Sequence, residues 1–458
     1  MIEKNKEYIV DITDNGFEGE GIAKIENFAI FIPGAIKGEK CKILILKVLA
    51  SYAFAKIIEI IEPSESRVEP DCGTYKRCGG CNLRHIDYEK TLEMKKNNVQ
   101  NLVNKNLIEK IKVNNVLGMG NPYNYRNKAQ FPIGLEKDGI TPIMGVYASR
   151  THEIIAMRNC MIHHQISEQI AHFIFGYIKQ NDIQVYNEKT GKGVFRHILI
   201  KVGMRSHEVM CVFIINEKGF KQESELTKLL VKEFPEIKTV VKNINMNNTN
   251  VIMGNENKIL YGDGYIYDQL GDYTFKISPM SFYQINPVQT EALYNIGIEM
   301  AEVTKQDTVY DLYCGIGTIG IFASKYAKKV YGIEIVEQAI EDAKQNAVIN
   351  DIKNIEFFAG DVEKVFDKIM KEKNDFPDII FVDPPRKGLD ETTIKNILDV
   401  APKKMVYISC NPATMVRDLK LLTEKYEVKE IQPVDMFPFT NHIETVTVLG
   451  LKENTQTQ

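Results

Sequence analysis

Hydrophobic and polar positions along the chain fall into three rhythms. Residues 1 to 61 alternate short β-rich runs, YIVDI, FAIFI, CKILIL and AFAKIIEII, with glycine turns at Gly16, Gly19, Gly21, Gly34 and Gly38. That pattern predicts a small β-barrel. The segment EPSESRVEPDC, with prolines at 63 and 70 and charges between them, reads as a linker. Over residues 88–110, Leu92, Val99, Leu102, Val103 and Leu107 lie near helical spacing, predicting an amphipathic helix with a basic outer face. The strand-like segments KAQFPIGLE, TPIMGVYA, RHILIKVG and EVMCVFIIN, broken by a helix around 165–180, make the middle region α+β.

From Asn286 the rhythm changes again. Asn286 and Pro287 form an N-cap and N1 pair opening a helix over PVQTEALYNIGIEMA. The apolar runs TVYDLY, KVYGIEI, IEFFAG, DIIFVD, MVYISC and ETVTVL then alternate with helical stretches, the pattern of a doubly wound, Rossmann-like α/β domain. The expected organisation is multi-domain α/β: a barrel over 1–61, a central α+β domain with a cysteine cluster over 62–285, and the doubly wound domain over 286–458. There is no internal repeat, and the polar tail ENTQTQ is the single low-complexity tract.

The length of 458 residues agrees with two or three cores rather than one. The formal charge of −4 looks unpromising for a nucleic-acid partner, but residues 74 to 205 hold 20 Lys and Arg against 10 Asp and Glu. This basic middle third reads as an electrostatic footprint for phosphates, with a merely solvated surface as the alternative. No stretch approaches the roughly 20 apolar residues of a membrane span, and MIEKNKEYIV has no apolar signal core. A soluble, cytoplasmic monomer with no membrane partner is expected. Eight cysteines are too few for a disulfide scaffold, so clustered ones point to metal binding or catalysis. Cys72, Cys78 and Cys81 form such a cluster, C-x5-C-x2-C.

The chemistry concentrates in the last third. Asp311 to Gly320, DLYCGIGTIG, follows a strand and opens a helix, and Glu334 ends the next strand 19 residues after Gly315. Glycines that admit a nucleotide, followed by a carboxylate for ribose hydroxyls, predict a nucleotide cofactor. On the glycines alone NAD competes; Asp311 and a further acidic position at Asp361 favour S-adenosylmethionine. Asp383 emerges from the apolar strand of IIFVDPPRKG, and Arg386, where amino-group methyltransferases carry a base-stacking aromatic residue, disfavours that class.

Cys410 ends MVYISC. In isolation a strand cysteine is a small core residue. In this context it suits methylation at C5 of a pyrimidine, where a thiolate added at C6 turns the ring into a carbon nucleophile and a nearby base then removes the C5 proton. Glu444, in TNHIETVTVL, is the candidate base; His442 is read as structural.

Together SFYQINP, DLYCGIGTIG, VDPPRKG and YISCNPATMVRD make the chain resemble the RNA uracil-C5 methyltransferase family over essentially its whole length. The resemblance implies that Gln284, Tyr313, Glu334 and Asp383 bind or border S-adenosylmethionine, that Cys410 is the nucleophile and that Glu444 accepts the proton. It further implies that Phe282 stacks on the target base and that Asp383 hydrogen-bonds its edge. The N-terminal barrel is similar to a TRAM domain, an OB-like RNA-binding module of the family's ribosomal RNA branch. The transfer RNA branch typically lacks both that module and a metal cluster.

By the same resemblance Cys160, in MRNCMIHH, joins Cys72, Cys78 and Cys81 as the fourth ligand of a [4Fe–4S] cluster. Without it, a four-cysteine zinc site competes. Cys41, Cys211 and Cys314 are expected to be unliganded. The implied partner is RNA, 23S ribosomal RNA above all, with a transfer RNA uridine or an RNA cytosine as alternative substrates. A different class, a non-catalytic RNA-binding or ribosome-assembly factor, is opposed by the intact set of Gln284, Glu334, Cys410 and Glu444.

Overall fold

A computed structural model of the chain describes residues 2–107 and 110–453. Ile108 and Glu109, at the end of the predicted 88–110 helix, and all but the first residue of the tail ENTQTQ lie outside the described residues.

The N-terminal strands Glu7–Asp11, Asp14–Asn15, Gly21–Ile25, Phe28–Ile32, Lys40–Val48 and Tyr52–Glu62 form one sheet in the spatial order first, fifth, sixth, fourth, third, second. Thr13 N–H, just past the first strand, donates to the Ile22 carbonyl of the third at 2.9 Å, bringing the two ends of that order together into a barrel-like shape. Alternation along Lys40–Val48 turns Cys41, Ile43 and Ile45 into the core and the lysines outward, so Cys41 is a packing residue. The segment read as a linker is instead fastened down. Arg67 makes a two-pronged pair with the buried Glu39, at 2.5 and 2.8 Å, and also reaches the Gly34 carbonyl at 2.7 Å. Glu39 is a buried carboxylate that needs a cation, and Arg67 supplies it.

The middle of the chain forms a seven-stranded sheet with the spatial order Glu256–Tyr261, Ile237–Ile244, Val209–Ile215, Phe195–Val202, Lys128–Leu135, Pro142–Tyr147, Ile154–Ala156. Its central strands are buried on both faces. Helices Gln165–Gln180 and Glu223–Glu233 cover one face. On the other, Leu199, Met210 and Val212 share a core with the hairpin Ile266–Leu270/Tyr273–Ile277 and with the C-terminal domain.

Helix Tyr88–Asn106 starts where Asp87 caps Lys90 N–H. Sequence reasoning assigns it to the central domain, but its buried stripe, Thr91, Lys95, Val99 and Val103, belongs to the C-terminal core together with Met415, Val416 and Leu419. An apolar stripe four residues apart must be covered, and its partner lies over 300 residues away in sequence. The chain then adds to the C-terminal sheet's edge through bridges from Val113 to Ile431 and from Leu117 to Val434. Both ends of the 62–285 segment are thus built into the C-terminal core.

That core rests on seven strands: β1 (Thr308–Leu312), β2 (Lys329–Glu334), β3 (Ile355–Ala359), β4 (Ile379–Val382), β5 (Lys404–Ser409), β6 (Tyr426–Val434) and β7 (Glu444–Leu451). Their order is β3-β2-β1-β4-β5-β7-β6; the first five are parallel, and β7 runs antiparallel to both its neighbours. Helices α1 (Pro287–Ala301), α2 (Thr318–Ser324), α3 (Glu337–Ile349), α4 (Val362–Lys373), α5 (Glu391–Val400) and α6 (Pro412–Leu422) complete it. Asn286 caps α1 and Pro287 occupies its first turn, as the sequence predicts. The order reverses between β1 and β4, the place where sheets of this kind bind their ligands, at the strands' carboxyl ends.

Candidate active site

Asp311, in β1, is buried, and one carboxylate oxygen accepts Gly320 N–H at 2.8 Å. Its other oxygen has no partner. Burial, reinforced by the Asp383 and Glu334 charges and opposed by the Gly320 hydrogen bond, pushes its carboxyl up to about 8. The chain turns at Tyr313 (φ +68°) and Gly315 (φ +55°), and the space beside Gly315 where a side chain would sit is open. Glu334, at the end of β2, accepts N–H groups from Gly315 at 3.2 Å and Val336 at 3.0 Å. An open backbone, a carboxylate across it and an orphaned buried oxygen form a cradle that can hold the ribose and adjoining groups of a nucleotide. Asp361 caps α4 and pairs with Lys364 at 3.3 Å. The Tyr313 hydroxyl lies 3.5 Å from Asp390.

Across the switch point, β4 delivers Asp383 and β5 delivers Cys410. The β5–β7 register pairs Ser409 with Thr445, so the next residue on each strand, Cys410 and Glu444, stand side by side at the sheet's end. Neighbouring positions of an antiparallel pair hold their Cβ atoms roughly 5 Å apart. Glu444 is buried, and one carboxylate oxygen has no partner. Burial and the Asp383 charge hold its carboxyl well above the carboxylate range, against the pull of Arg386. Burial alone takes Asp383 to about 7. Burial and the Glu444 and Asp383 charges push the Cys410 thiol up to about 11, again opposed by Arg386. All three groups are thus shifted toward their protonated forms, as is common where a site tunes its acids and bases.

The loops carrying them are locked. Asn411 and Thr414 side chains donate to the Arg386 carbonyl at 3.0 and 3.2 Å, joining the turn after β5 to the turn after β4. Gly388 (φ +79°) has no room for a side chain, because a Cβ would lie 2.4 Å from Asp418 Oδ2. That carboxylate accepts Leu389 N–H and the Tyr407 hydroxyl.

Two participants escaped sequence reasoning. Arg386 is the cation acting on both Cys410 and Glu444; its place after the two prolines speaks only to the substrate class. Tyr294, buried in α1 with its hydroxyl 3.1 Å from Thr318 Oγ1, lies within the fields of Asp383, Asp311 and Glu444, and nothing in its helical pattern marked it. The loop between the 266–277 hairpin and α1 carries Gln284, half-buried, whose carbonyl accepts Asn127 Nδ2 at 2.9 Å. Phe282 on the same loop is 69 % exposed, so no internal contact claims its ring. His442 packs edge-on against Phe437, with its pKa lowered chiefly by burial.

Cys72, Cys78, Cys81 and Cys160 line one cavity of about 810 Å³ between the central sheet and the loops before helix Tyr88–Asn106. Burial raises the thiols of Cys78 and Cys160 and takes that of Cys81 to about 12. Among the described residues no three His, Cys, Asp or Glu side chains lie close enough to hold a single metal ion. Cys211 and Cys314 are buried elsewhere. Among the described residues no helix is long and apolar enough to cross a membrane.

Residues 87–452 match the model of the tRNA (Uracil-5-)-methyltransferase family, and residues 3–58 match the TRAM domain. An uncharacterized RNA methyltransferase of Oceanobacillus iheyensis is 43% identical over 454 residues, 98% of each chain. One from Staphylococcus aureus is 45% identical over 445 residues, 97% of each. Among solved structures, the tRNA (uracil-54, C5)-methyltransferase of Pyrococcus abyssi in complex with S-adenosyl-L-homocysteine aligns with a TM-score of 0.76 over 96% of this chain and 100% of that one. At 24% identity this likeness shows the shared fold.

Proposed function

This chain belongs to the tRNA (Uracil-5-)-methyltransferase family and is an S-adenosylmethionine-dependent RNA methyltransferase, and from that premise we propose that it methylates C5 of uridine in 23S ribosomal RNA through a covalent Cys410–C6 bond. The observation that carries the reading is the β5–β7 register, which sets a buried Glu444, one carboxylate oxygen of which has no partner, beside Cys410 with Asp383 at hand.

Glu334, Tyr313, Gln284 and Asp383 hold or border the cofactor, which when bound supplies an electrophilic methyl group. Phe282 offers its exposed ring as a stacking platform for an extruded base. Asp383, poised near neutrality, hydrogen-bonds the base edge. Cys410 gives its proton to solvent as Sγ bonds to C6, and the C5–C6 π electrons move toward C4–O4. They return through C5 to the methyl group, whose bond to the cofactor's sulfur would break to leave S-adenosylhomocysteine. Glu444, ionised, removes the C5 proton; the C5–C6 double bond re-forms, the C6–S bond breaks and Cys410 recovers a proton. A neutral resting thiol keeps Cys410 inert until a ring and a positive charge occupy the cleft.

Ribosomal RNA is favoured because the chain carries both the TRAM domain and the four-cysteine cavity. The residues there suit a [4Fe–4S] cluster. Four thiols line one cavity, the donor set that such a cluster takes, with a four-thiolate zinc site as the competing occupant. Cys72, Cys78, Cys81 and Cys160 would hold it in a structural role. The family's description and the archaeal neighbour both name transfer RNA, which makes that the competing substrate.

Mapping of 5-methyluridine in both RNAs from cells lacking the protein tests the reading. Loss of a 23S site is expected. Loss confined to transfer RNA overturns the substrate, and loss of 5-methylcytidine overturns the base.

A further inference from the structure

Glu444 is the first residue of β7, and the nine residues before it, 435–443, form an irregular loop. An irregular loop cannot by itself place a buried carboxylate, so what holds it matters. One end is held at Asp435, a buried carboxylate that accepts Lys95 Nζ at 2.5 Å and the Tyr88 hydroxyl at 2.8 Å. Lys95 also reaches the Phe437 carbonyl at 3.2 Å. The other end is held by the residues just after Cys81. Asn82 and Leu83 N–H groups both donate to the Phe439 carbonyl, at 3.1 and 3.0 Å. Asn82 Oδ1 accepts Asn441 N–H at 2.8 Å, and the Arg84 guanidinium lies 4.0 Å over the Phe439 ring.

Phe439 itself is strained. It has φ +65°, a conformation that bulky residues rarely adopt, and it is 5% exposed, packed with Cys81 and Cys160. Such a conformation costs on the order of 1–3 kcal/mol and persists where its surroundings over-determine it. Here those surroundings include the segment Cys81 begins, beside the Tyr88 and Tyr123 rings and the buried Tyr125 and Ile162. No residue between 82 and 84 reaches the reacting groups, and the loop they grip leads straight to Glu444.

We propose that Asn82, Leu83 and Arg84 are a positioning clamp for the catalytic base, fixing Glu444 through Phe439 so that the four-cysteine site and the proton-removal step are mechanically joined. The inference rests on the reading of Glu444 as the base. It also gives the cysteine site a task that requires no electron transfer: holding Cys81, and hence Asn82, in place.

The clamp acts on one step only. A displaced Glu444 slows removal of the C5 proton and leaves bond formation at Cys410 untouched, so the covalent RNA adduct accumulates. The test uses the full-length protein with bound S-adenosylmethionine and unmodified 23S transcript, comparing Asn82→Ala, Asn82→Asp and Glu444→Gln for turnover and for adduct surviving denaturing electrophoresis. Asn82→Ala is expected to raise the adduct fraction about fivefold at unchanged cofactor affinity, the factor that one lost hydrogen bond produces. Asn82→Asp keeps the acceptor for Asn441 N–H and is expected to restore the wild-type level. Asn82→Ala with unchanged turnover and no added adduct, or with adduct and turnover falling together, overturns the clamp. No adduct from Glu444→Gln itself overturns the assignment of the base, and the clamp with it.

Discussion

The reacting end of the C-terminal sheet and the four-cysteine cavity both gather thiols or carboxylates, but they are assembled by opposite means. At the sheet, strands deliver each group: Asp311 from β1, Glu334 from β2, Asp383 just past β4, Cys410 just past β5 and Glu444 at the head of β7. Strand register makes Cys410 and Glu444 neighbours. At the cavity the cysteines lie outside helices and strands, and their loops are tied by scattered bonds, such as Glu168 accepting Cys160 N–H at 2.9 Å and Tyr75 donating to the Asn82 carbonyl at 3.0 Å. A site built on regular structure is pre-organised before its ligand arrives. One built on loops takes its final form from the group it binds.

The comparison breaks most sharply at Cys410. Cys410→Ala should reduce methyl transfer by at least about a thousandfold while calorimetry finds S-adenosylmethionine binding intact. Substantial turnover in that variant rules out covalent catalysis. Glu444→Gln should lower turnover about a hundredfold and trap the RNA adduct, since general-base removal is lost and bond formation is not. At the loop-built site the effect should fall on stability instead. Cys81→Ser should release iron, measured by elemental analysis, and lower the melting temperature, with a smaller change in cofactor affinity. Zinc in place of iron, or an unmoved melting temperature, overturns the cluster.

Proton equilibria sharpen the contrast. With the Cys410 thiol held near 11, its thiolate fraction grows about tenfold per pH unit below that value. Adduct formation under single-turnover conditions should therefore accelerate from pH 6 to 9; a flat profile means that another step limits the rate. The smallest effect concerns stability. Asp383 titrates near 7 in the fold and near 3.8 in the unfolded chain, so its contribution is intact below the unfolded value and declines as pH rises toward 7. Asp383→Asn should accordingly stabilise the ligand-free enzyme more at pH 8 than at pH 4, as read by chemical denaturation.

Much of this was legible in the sequence because it is local. The apolar runs of a parallel sheet, the Asn286–Pro287 helix start and the glycines around Gly315 each report on near neighbours, and all recur in the structure. The boundary at residue 62 is another matter. Ser64 and Arg67 look like linker residues, and only the burial of Glu39 shows them to be fastened down. Helix Tyr88–Asn106 was predictable as a helix, but its partner was not, because periodicity gives the width of an apolar face and not the surface that covers it. Lys95 belongs to a helix expected to show a basic outer face, yet lies buried against Asp435, a residue 340 positions on.

Taken alone, the sequence determined which residue types stand where strands end: a carboxylate, a glycine loop, a thiol and a second carboxylate, placed by periods of two and 3.6 that any short stretch of chain expresses. Tertiary structure decided how those residues behave. The upward shift at Asp383 arises from burial and those at Cys410 and Glu444 from burial together with neighbouring charges, and Phe439 is gripped by residues over 350 positions away. Burial, mutual electrostatics and cross-strand register exist only once distant segments meet, and no local pattern encodes their magnitude.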